Sequence, residues 1–376
     1  MSFKILKKDK KSKARIGKLI TKHGTVETPY FMAVATKATG KIIGPDDYAV
    51  IADGLICNAL VLSLRPGVDV IQKFGTIHDF MNFQKPIFTD CGGFQMLRDS
   101  FMNGTSSQGI NFKNPFTGEK FVITPKKIME IEMNIGADAV MMLDDVAPYG
   151  ASRKKVEDSL ENTHRWGKEC KKYHTKKGQM LYGIVQGGFF PDLRKKSADY
   201  INSLDFDGIA IGGVAIGETR EEMYIAVNSA IHHLDENKPK HILGVGSPDD
   251  VVELVSLGAD TFDSVYPTQT ARHGTLFTFN GKIDILKSKY SNDDSPIEVG
   301  CKCLACKNFS KGYLRHLLRI NEPIGKRYCS IHNVYFMNEL MRRLRKSIRD
   351  GTFENFKELI ISKYRNNKNV GIRVKQ

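Results

Sequence analysis

Asp263 stands near the end of the apolar run DTFDSV (260–265), and a polar stretch, YPTQTARHG (266–274), follows at once. A carboxylate at such a boundary, beside an Arg and a His, can act as a nucleophile or hold a proton. Four other apolar runs end in polar side chains, Asn58, Asp90, Asp144 and Gln186, and two end in glycines, Gly212 with Gly213 and Gly244 with Gly246. Any one of the aspartates has a plain alternative as a helix cap. Three carboxylates and two amides, each ending a different run, are better explained by one shared site.

A second group has the spacing of metal ligands. Cys301-x-Cys303-x₂-Cys306 gathers three thiols, and His332 lies downstream. Three thiolates and an imidazole suit tetrahedral zinc, and a closed four-ligand set is structural rather than catalytic. On spacing alone Cys329 and His316 compete with His332 for the fourth place. Cys57, Cys91 and Cys170 are scattered, so the seven cysteines are not a secreted disulfide framework and favour metal.

The elements that must position these residues are eight short apolar runs: YFMAVAT, GLICNAL, PIFTD, DAVMMLD, LYGIVQ, DGIAIGG, HILGVG and DTFDSV. Helical periodicity fills most of the gaps between them, as in TPKKIMEIEMNIG, SRKKVEDSLENTHRWGKECKKYH and ETREEMYIAVNSAIHHL. Thr124-Pro125, Ser152 and Ser247-Pro248 are helix-start signals. Eight strands with short crossovers predict an α/β fold, a parallel (β/α)₈ barrel with an inserted metal-binding subdomain; a doubly wound open sheet is the alternative. In such barrels the active site sits at the C-terminal ends of the strands, where the polar residues above fall.

Three segments lie outside the repeat. ARIGKLITKHGTVETP reads as a hairpin turning at His23-Gly24, a cap for the barrel bottom. Residues 91–124 are long enough to be a lid and contain a stretch that reads as a hairpin, FKNPFTGEKFVIT. Residues 276–332 are the metal-binding insertion, which leaves 1–275 as barrel plus hairpin and 333–376 as a basic helical segment closing the barrel. From residue 301 onward there are 18 Lys/Arg against 5 Asp/Glu, which accounts for nearly all of the net +14. That asymmetry suggests a polyanion such as nucleic acid as partner, with RRLRKSIR extending a basic surface from the metal module beside the site. The chain has no apolar run of membrane-spanning length and no apolar signal core, so a cytoplasmic protein is expected.

The motifs TDCGGFQM, GIVQGG, FDGIAIGG, GVGSPDD, FDSVYPTQTARHG and CKCLAC with its distant His resemble, in order and spacing, those of the tRNA-guanine transglycosylases, or queuine tRNA-ribosyltransferases. The resemblance covers nearly the whole chain. It implies a (β/α)₈ barrel with one structural Zn²⁺ per chain on Cys301, Cys303, Cys306 and His332, usually as a homodimer. The implied reaction exchanges guanine at wobble position 34 of certain tRNAs for a 7-deazaguanine. Asp263 matches the family's nucleophile and Asp90 its general acid/base. Asp90, Cys91, Gly92, Gly93, Phe94, Asp144, Gln186 and Gly213 match the base pocket, with Phe94 suited to stacking. Asn58 matches a residue near the ribose. Gly244, Val245, Gly246, Ser247, Pro248, Asp249 and Asp250, with Thr268, Gln269, Thr270, Ala271 and Arg272, match segments that contact the anticodon. The type implied is the shorter bacterial or eukaryotic one, without the archaeal C-terminal extension.

The chain also departs from the pattern. Gln269 replaces an Arg usual in PTRxAR, Cys91 a Ser, and NALVL the usual NTYHL. Val146 and Phe94 look eukaryotic, whereas Ile216 would crowd the cyclopentenediol of queuine and leave room for preQ1. The expected incoming base is preQ1, with queuine salvage the alternative. A non-catalytic tRNA-binding homologue is a further reading, opposed by the joint presence of Asp90, Asp144, Gln186 and Asp263. A metal-dependent barrel hydrolase would need His or carboxylate ligands around an open metal position, and His241 begins its run rather than ending it.

Overall fold

The computed structural model describes residues 1–92, 102–114 and 116–365. Three antiparallel strands open the chain: β1 (Ser2–Lys8), β2 (Arg15–Thr21) and β3 (Gly24–Thr28). The barrel strands follow as β4 (Tyr30–Val34), β5 (Leu55–Asn58) and β6 (Ile87–Asp90). After a small sheet of β7 (Met102–Ser106), β8 (Gly109–Lys113) and β9 (Lys120–Ile123) come β10 (Ala139–Met141), β11 (Met180–Val185), β12 (Gly208–Ile211), β13 (Lys240–Ile242) and β14 (Thr261–Ser264). A last hairpin joins β15 (Thr275–Thr278) to β16 (Gly281–Asp284).

All eight apolar runs become strands of one closed parallel barrel, in the order β4-β5-β6-β10-β11-β12-β13-β14. The ring closes where Asp263 pairs with Met32, and that pairing excludes the open sheet. Strands of a parallel sheet are covered on both faces, which is why these runs are apolar almost without alternation. Tyr30, Phe31, Phe88, Tyr182 and Phe262 are each fully buried in them. Several strands are shorter than their runs. β10 stops at Met141 and β13 at Ile242, so Asp144 and Gly244 leave the ladder and belong to the mouth.

The helix-start signals mark real helix starts. Thr124 and Ser152 cap Pro125–Ile135 and Arg153–Tyr173 by accepting from Lys127 N and Lys155 N. Ser247 precedes Pro248–Ser256, but its hydroxyl donates to Asp249 Oδ1 at 2.6 Å. The stretch PGVDVIQKFGTIHDFMN forms two helices, Val68–Phe74 and Ile77–Met81. Gly75, at φ 110°, adopts a conformation a helix cannot continue through.

The hairpin turns at Lys22-His23, one position early, and gains β1 as an edge strand. Phe3 and Ile5 alternate inward along β1, and the Phe3 ring occupies the space a Cβ at Gly17 would need. This sheet meets the barrel base. Asp138, just before β10, takes His23 Nδ1 and His78 Nε2 at 3.0 Å each, and the two imidazoles stack at 3.4 Å. Arg15 pairs with Asp260, just before β14, at 2.6 Å.

The eighth helix position is filled by Pro323–Asp350, 28 residues and about 42 Å long. It carries His332 at its mouth end and passes through 332/333 without a break. Arg345 donates to Pro29 O at 2.7 Å, and Arg349 pairs with Glu27 at 2.5 Å. RRLRKSIR thus runs from the metal module, where Arg342 and Arg343 line a groove with Gly300, Cys301 and Lys302, to the barrel base, where Arg345 and Arg349 hold the hairpin. The expected basic surface does adjoin the metal module, but none of these side chains lines the cavity at the mouth.

Candidate active site

Four polar strand-end residues converge on the mouth. Asp263, Asp90 and Asp144 line one cavity of about 570 Å³, together with Gly92, Gly213 and Gly244. Gln186 stands behind Asp144 and donates from Nε2 to its Oδ2 at 2.6 Å.

Asp263 is held from one side. His241 Nε2 lies 3.1 Å from its Oδ1, and the Gly244 N–H donates to the same oxygen at 3.1 Å. His241 is fully buried, with Nδ1 2.9 Å from Thr261 Oγ1. An Nε2–H donating to Asp263 leaves Nδ1 to share a hydrogen bond with the Thr261 hydroxyl. Among the described residues no hydrogen bond reaches Asp263 Oδ2.

The other two carboxylates are environments for protons. Burial pushes the Asp90 carboxyl well above its usual range, and the charges of Asp263 and Asp144 push it further against the Gly92 N–H. Its Oδ1 is buried without a partner among the described residues. Burial also lifts Asp144, to about 6; hydrogen bonds from Gln186 and from Cys91, whose sulfur is 3.5 Å from Oδ1, oppose the rise. Carboxylates whose surroundings separate their proton affinities are the usual basis for separate acid and base roles.

The wall opposite is built by residues outside the sequence motifs. Arg194 is fully buried and donates to Gly212 O at 2.7 Å, Gly213 O at 3.1 Å and Gly188 O at 2.7 Å. Gly213 itself, at φ 63°, leaves no room for a side chain: a Cβ there would be 2.4 Å from Gln186 Oε1. Glu218 accepts from Ala215, Ile216 and Gly217 N–H at 2.5–3.0 Å, which fixes the loop that brings Ile216 to the cavity.

Cys301, Cys303, Cys306 and His332 form a second cluster, with His332 Nδ1 3.8, 3.5 and 3.4 Å from the three sulfurs in that order. His332 Nε2 is 2.8 Å from Phe277 O, the kind of outer contact that fixes a metal-binding imidazole. The donor set fits one soft tetrahedral ion. Cys329 is fully buried outside the cluster and His316 is not part of it, which resolves the fourth place in favour of His332.

A profile of the queuine tRNA-ribosyltransferase family matches residues 9–366. A queuine tRNA-ribosyltransferase of Desulforamulus reducens is 42% identical over 359 residues, covering 95% of this chain and 97% of its own. One of Thermoanaerobacter sp. is 42% identical over 367 residues, 97% of this chain and 98% of its own. One of Solidesulfovibrio magneticus is 43% identical over 347 residues, 92% and 93%. The chain belongs to the queuine tRNA-ribosyltransferase family. It is thus a pentosyltransferase, a tRNA-guanine transglycosylase.

Within this family framework not every expected residue reaches the mouth. Asn58 is fully buried and accepts from Val61 N at 2.8 Å, capping the helix Ala59–Leu62. Its amide also stands against the cavity wall, where a Cβ at Gly92 would come within 2.7 Å of Asn58 Oδ1. In the 244–250 segment, Gly244, Val245, Gly246, Ser247 and Asp250 line the cavity. Pro248 is buried at the start of its helix, and Asp249 is buried and ion-paired to Arg220 at 2.7 Å. In the helix Tyr266–Arg272, Thr268, Gln269 and Arg272 are half-buried, Thr270 donates to Tyr266 O at 2.8 Å, and Ala271 is wholly inside. Gly93 and Phe94 lie outside the described residues. Sequence reasoning passed over Arg194 and Glu218, and it weighed His241 only as a metal ligand. Arg194 left one usable signal, an arginine amid the apolar positions of an otherwise amphipathic helix.

Proposed function

We propose that the protein exchanges guanine at wobble position 34 of tRNAs with GUN anticodons for a 7-deazaguanine, with preQ1 as the incoming base. The exchange runs through a covalent ribosyl–Asp263 intermediate. The observation that carries this reading is the asymmetry of Asp263, one oxygen held by His241 and Gly244 and the other without a hydrogen bond from any described residue, in a cavity shared with Asp90 and Asp144.

In the first displacement an Asp263 oxygen bonds to C1′ as the C1′–N9 bond breaks. Asp90, kept protonated by its burial, gives its proton to the departing guanine. In the second, the incoming base gives its N9 proton to the Asp90 carboxylate, N9 bonds to C1′, and Asp263 is released. Two inversions retain the configuration, as in retaining glycoside hydrolysis, and the RNA backbone stays whole. Ionised Asp144 accepts from N1–H and the exocyclic amine, and the second N–H of Gln186 donates to O6. The target nucleotide leaves its stack to reach the cavity. Cys301, Cys303, Cys306 and His332 would hold one Zn²⁺, which supplies structure and no chemistry, because four protein ligands leave no open position. Ile216 lines the cavity and supports the smaller incoming base.

A tRNA carrying labelled guanine at position 34 is offered preQ1, queuine or guanine separately. The expected result is release with preQ1 and little with queuine. Release with queuine as fast as with preQ1 overturns the assignment of the base, and no release with any base overturns the enzymatic reading.

A further inference from the structure

Four acidic side chains besides the protonated Asp90 line the cavity, Asp144, Glu218, Asp250 and Asp263, and the only two cations among the described ones are Arg220 and Lys282. A cavity of that sign repels a polyanion, so a strand entering it needs a cation at the rim. Arg220 is committed, with ion pairs to Asp249 at 2.7 Å and Asp250 at 2.6 Å. Lys282, on β16, has no carboxylate partner among the described residues. Its Nζ donates to Ser247 Oγ and to the Tyr266 hydroxyl, both at 3.1 Å. The ammonium lies 5.3 Å from the Tyr266 ring centre and 5.7 Å from that of Tyr364. Hydroxyls and ring faces hold a lysine in place without neutralising it.

The position matters as much as the charge. Tyr266 is three residues beyond Asp263, and Ser247 three beyond Gly244, whose N–H holds Asp263. Both anchors of Lys282 are therefore tied to the segments that place the nucleophile. A ribose whose C1′ meets Asp263 directs its phosphates outward, toward this rim. Gln269, also on the rim, is neutral. The lysine reaches the mouth from the segment that follows β14, so the inserted module delivers a cation to the site although RRLRKSIR does not.

We infer that Lys282 binds a backbone phosphate next to the extruded nucleotide, fixing the strand while the base is exchanged. This rests on the proposed exchange reaction. A Lys–phosphate contact adds affinity independent of sequence and contributes about one charge to the salt dependence of binding.

The test uses the full chain and an RNA stem-loop with guanosine in its loop, titrated between 50 and 300 mM salt. Lys282→Met is expected to reduce the slope of log K against log salt by about 1 and to weaken binding roughly fivefold at 0.1 M salt. In exchange assays the loss should fall on KM for the RNA rather than on kcat. Lys282→Arg should restore the slope, and Lys10→Met, at the far end of the barrel, should leave it unchanged. Lys282→Gln serves in the same role if the Met variant does not fold. An unchanged slope in a folded Lys282→Met or Lys282→Gln protein overturns the inference. So does an equal loss in Lys10→Met, which would mean a diffuse charge effect. Failure of the wild-type chain to exchange any base, despite normal RNA binding, would overturn the reaction while leaving the phosphate contact to be judged by the slope.

Discussion

At the scale of single residues the mouth is a set of carboxylates made different by their neighbours. Among the described residues, Asp263 has two donors on one oxygen, Asp90 has a buried oxygen with none, and Asp144 has an amide and a thiol. Burial raises the Asp144 carboxyl to about 6, above its unfolded value, so the native state binds its proton more tightly than the unfolded chain. The sign follows: this group lowers stability at neutral pH, and the penalty fades as pH falls from about 6 toward 4. Asp144→Asn should therefore stabilise the free chain at pH 7, on the order of 2 kcal/mol, while abolishing tight guanine binding. Urea unfolding and guanine titration measure the two effects on one sample. Lost stability with unchanged guanine affinity would contradict both assignments. In the wild type, guanine affinity should fall as pH drops below about 6, since only the ionised carboxylate accepts from N1–H.

At the scale of elements the metal cluster and the mouth share one helix. His332 reaches Phe277 O, and its neighbour Asn333 donates to Pro267 O at 2.9 Å and Thr275 O at 3.1 Å and accepts from Phe277 N at 3.0 Å. The helix Tyr266–Arg272 thus leans on the segment that the cluster fixes. Cys303→Ser should lose about one bound zinc per chain and loosen this segment, because site formation and local folding are coupled. Metal analysis and hydrogen exchange over 266–278 test this; full zinc content in the variant would mean that Cys303 is no ligand. Much of this scale was legible in the sequence. Strands buried on both faces left apolar runs, and the close cysteines announced their cluster. The cap made by Asn58 was not legible, because a polar residue at a strand end serves equally as a cap or as a ligand. His241 was not either, because its run does not reveal which way the ring turns, and here it turns toward Asp263. The break at Gly75 depends on a backbone angle that periodicity does not record.

At the scale of the whole molecule the barrel has a polar, reactive mouth and a latched base. The long helix joins the two, from His332 beside the mouth to Arg349 at the hairpin. Its span is why a charge run that begins beside the metal module, at Arg342 and Arg343, ends at the opposite end of the barrel, at Arg349. The base is held by Asp138. Burial alone would raise its carboxyl, but hydrogen bonds from His78, His23 and the Ile87 N–H hold it below its usual value. The sign is the reverse of that for Asp144. The stabilisation is complete above the unfolded value, and it is lost as pH falls through the lower folded one. Asp138→Asn should cost about 2–4 kcal/mol at pH 7, as expected for a buried acceptor removed from several donors. The gap from wild type should narrow below about pH 4. Urea unfolding at pH 7 and at pH 4 tests it; a gap independent of pH would remove the charge from the explanation.

In the proposed exchange, Asp263 carries the ribosyl group between the two bases. The most direct measurement is to mix the chain with guanosine-34 tRNA, quench in denaturant, and look for a protein–RNA adduct on a denaturing gel. An adduct is expected in the wild type, and it should disappear when preQ1 is added before the quench. None is expected in Asp263→Asn, with tRNA binding retained. An adduct of equal yield in Asp263→Asn, or normal base exchange by that variant, would contradict that role of Asp263.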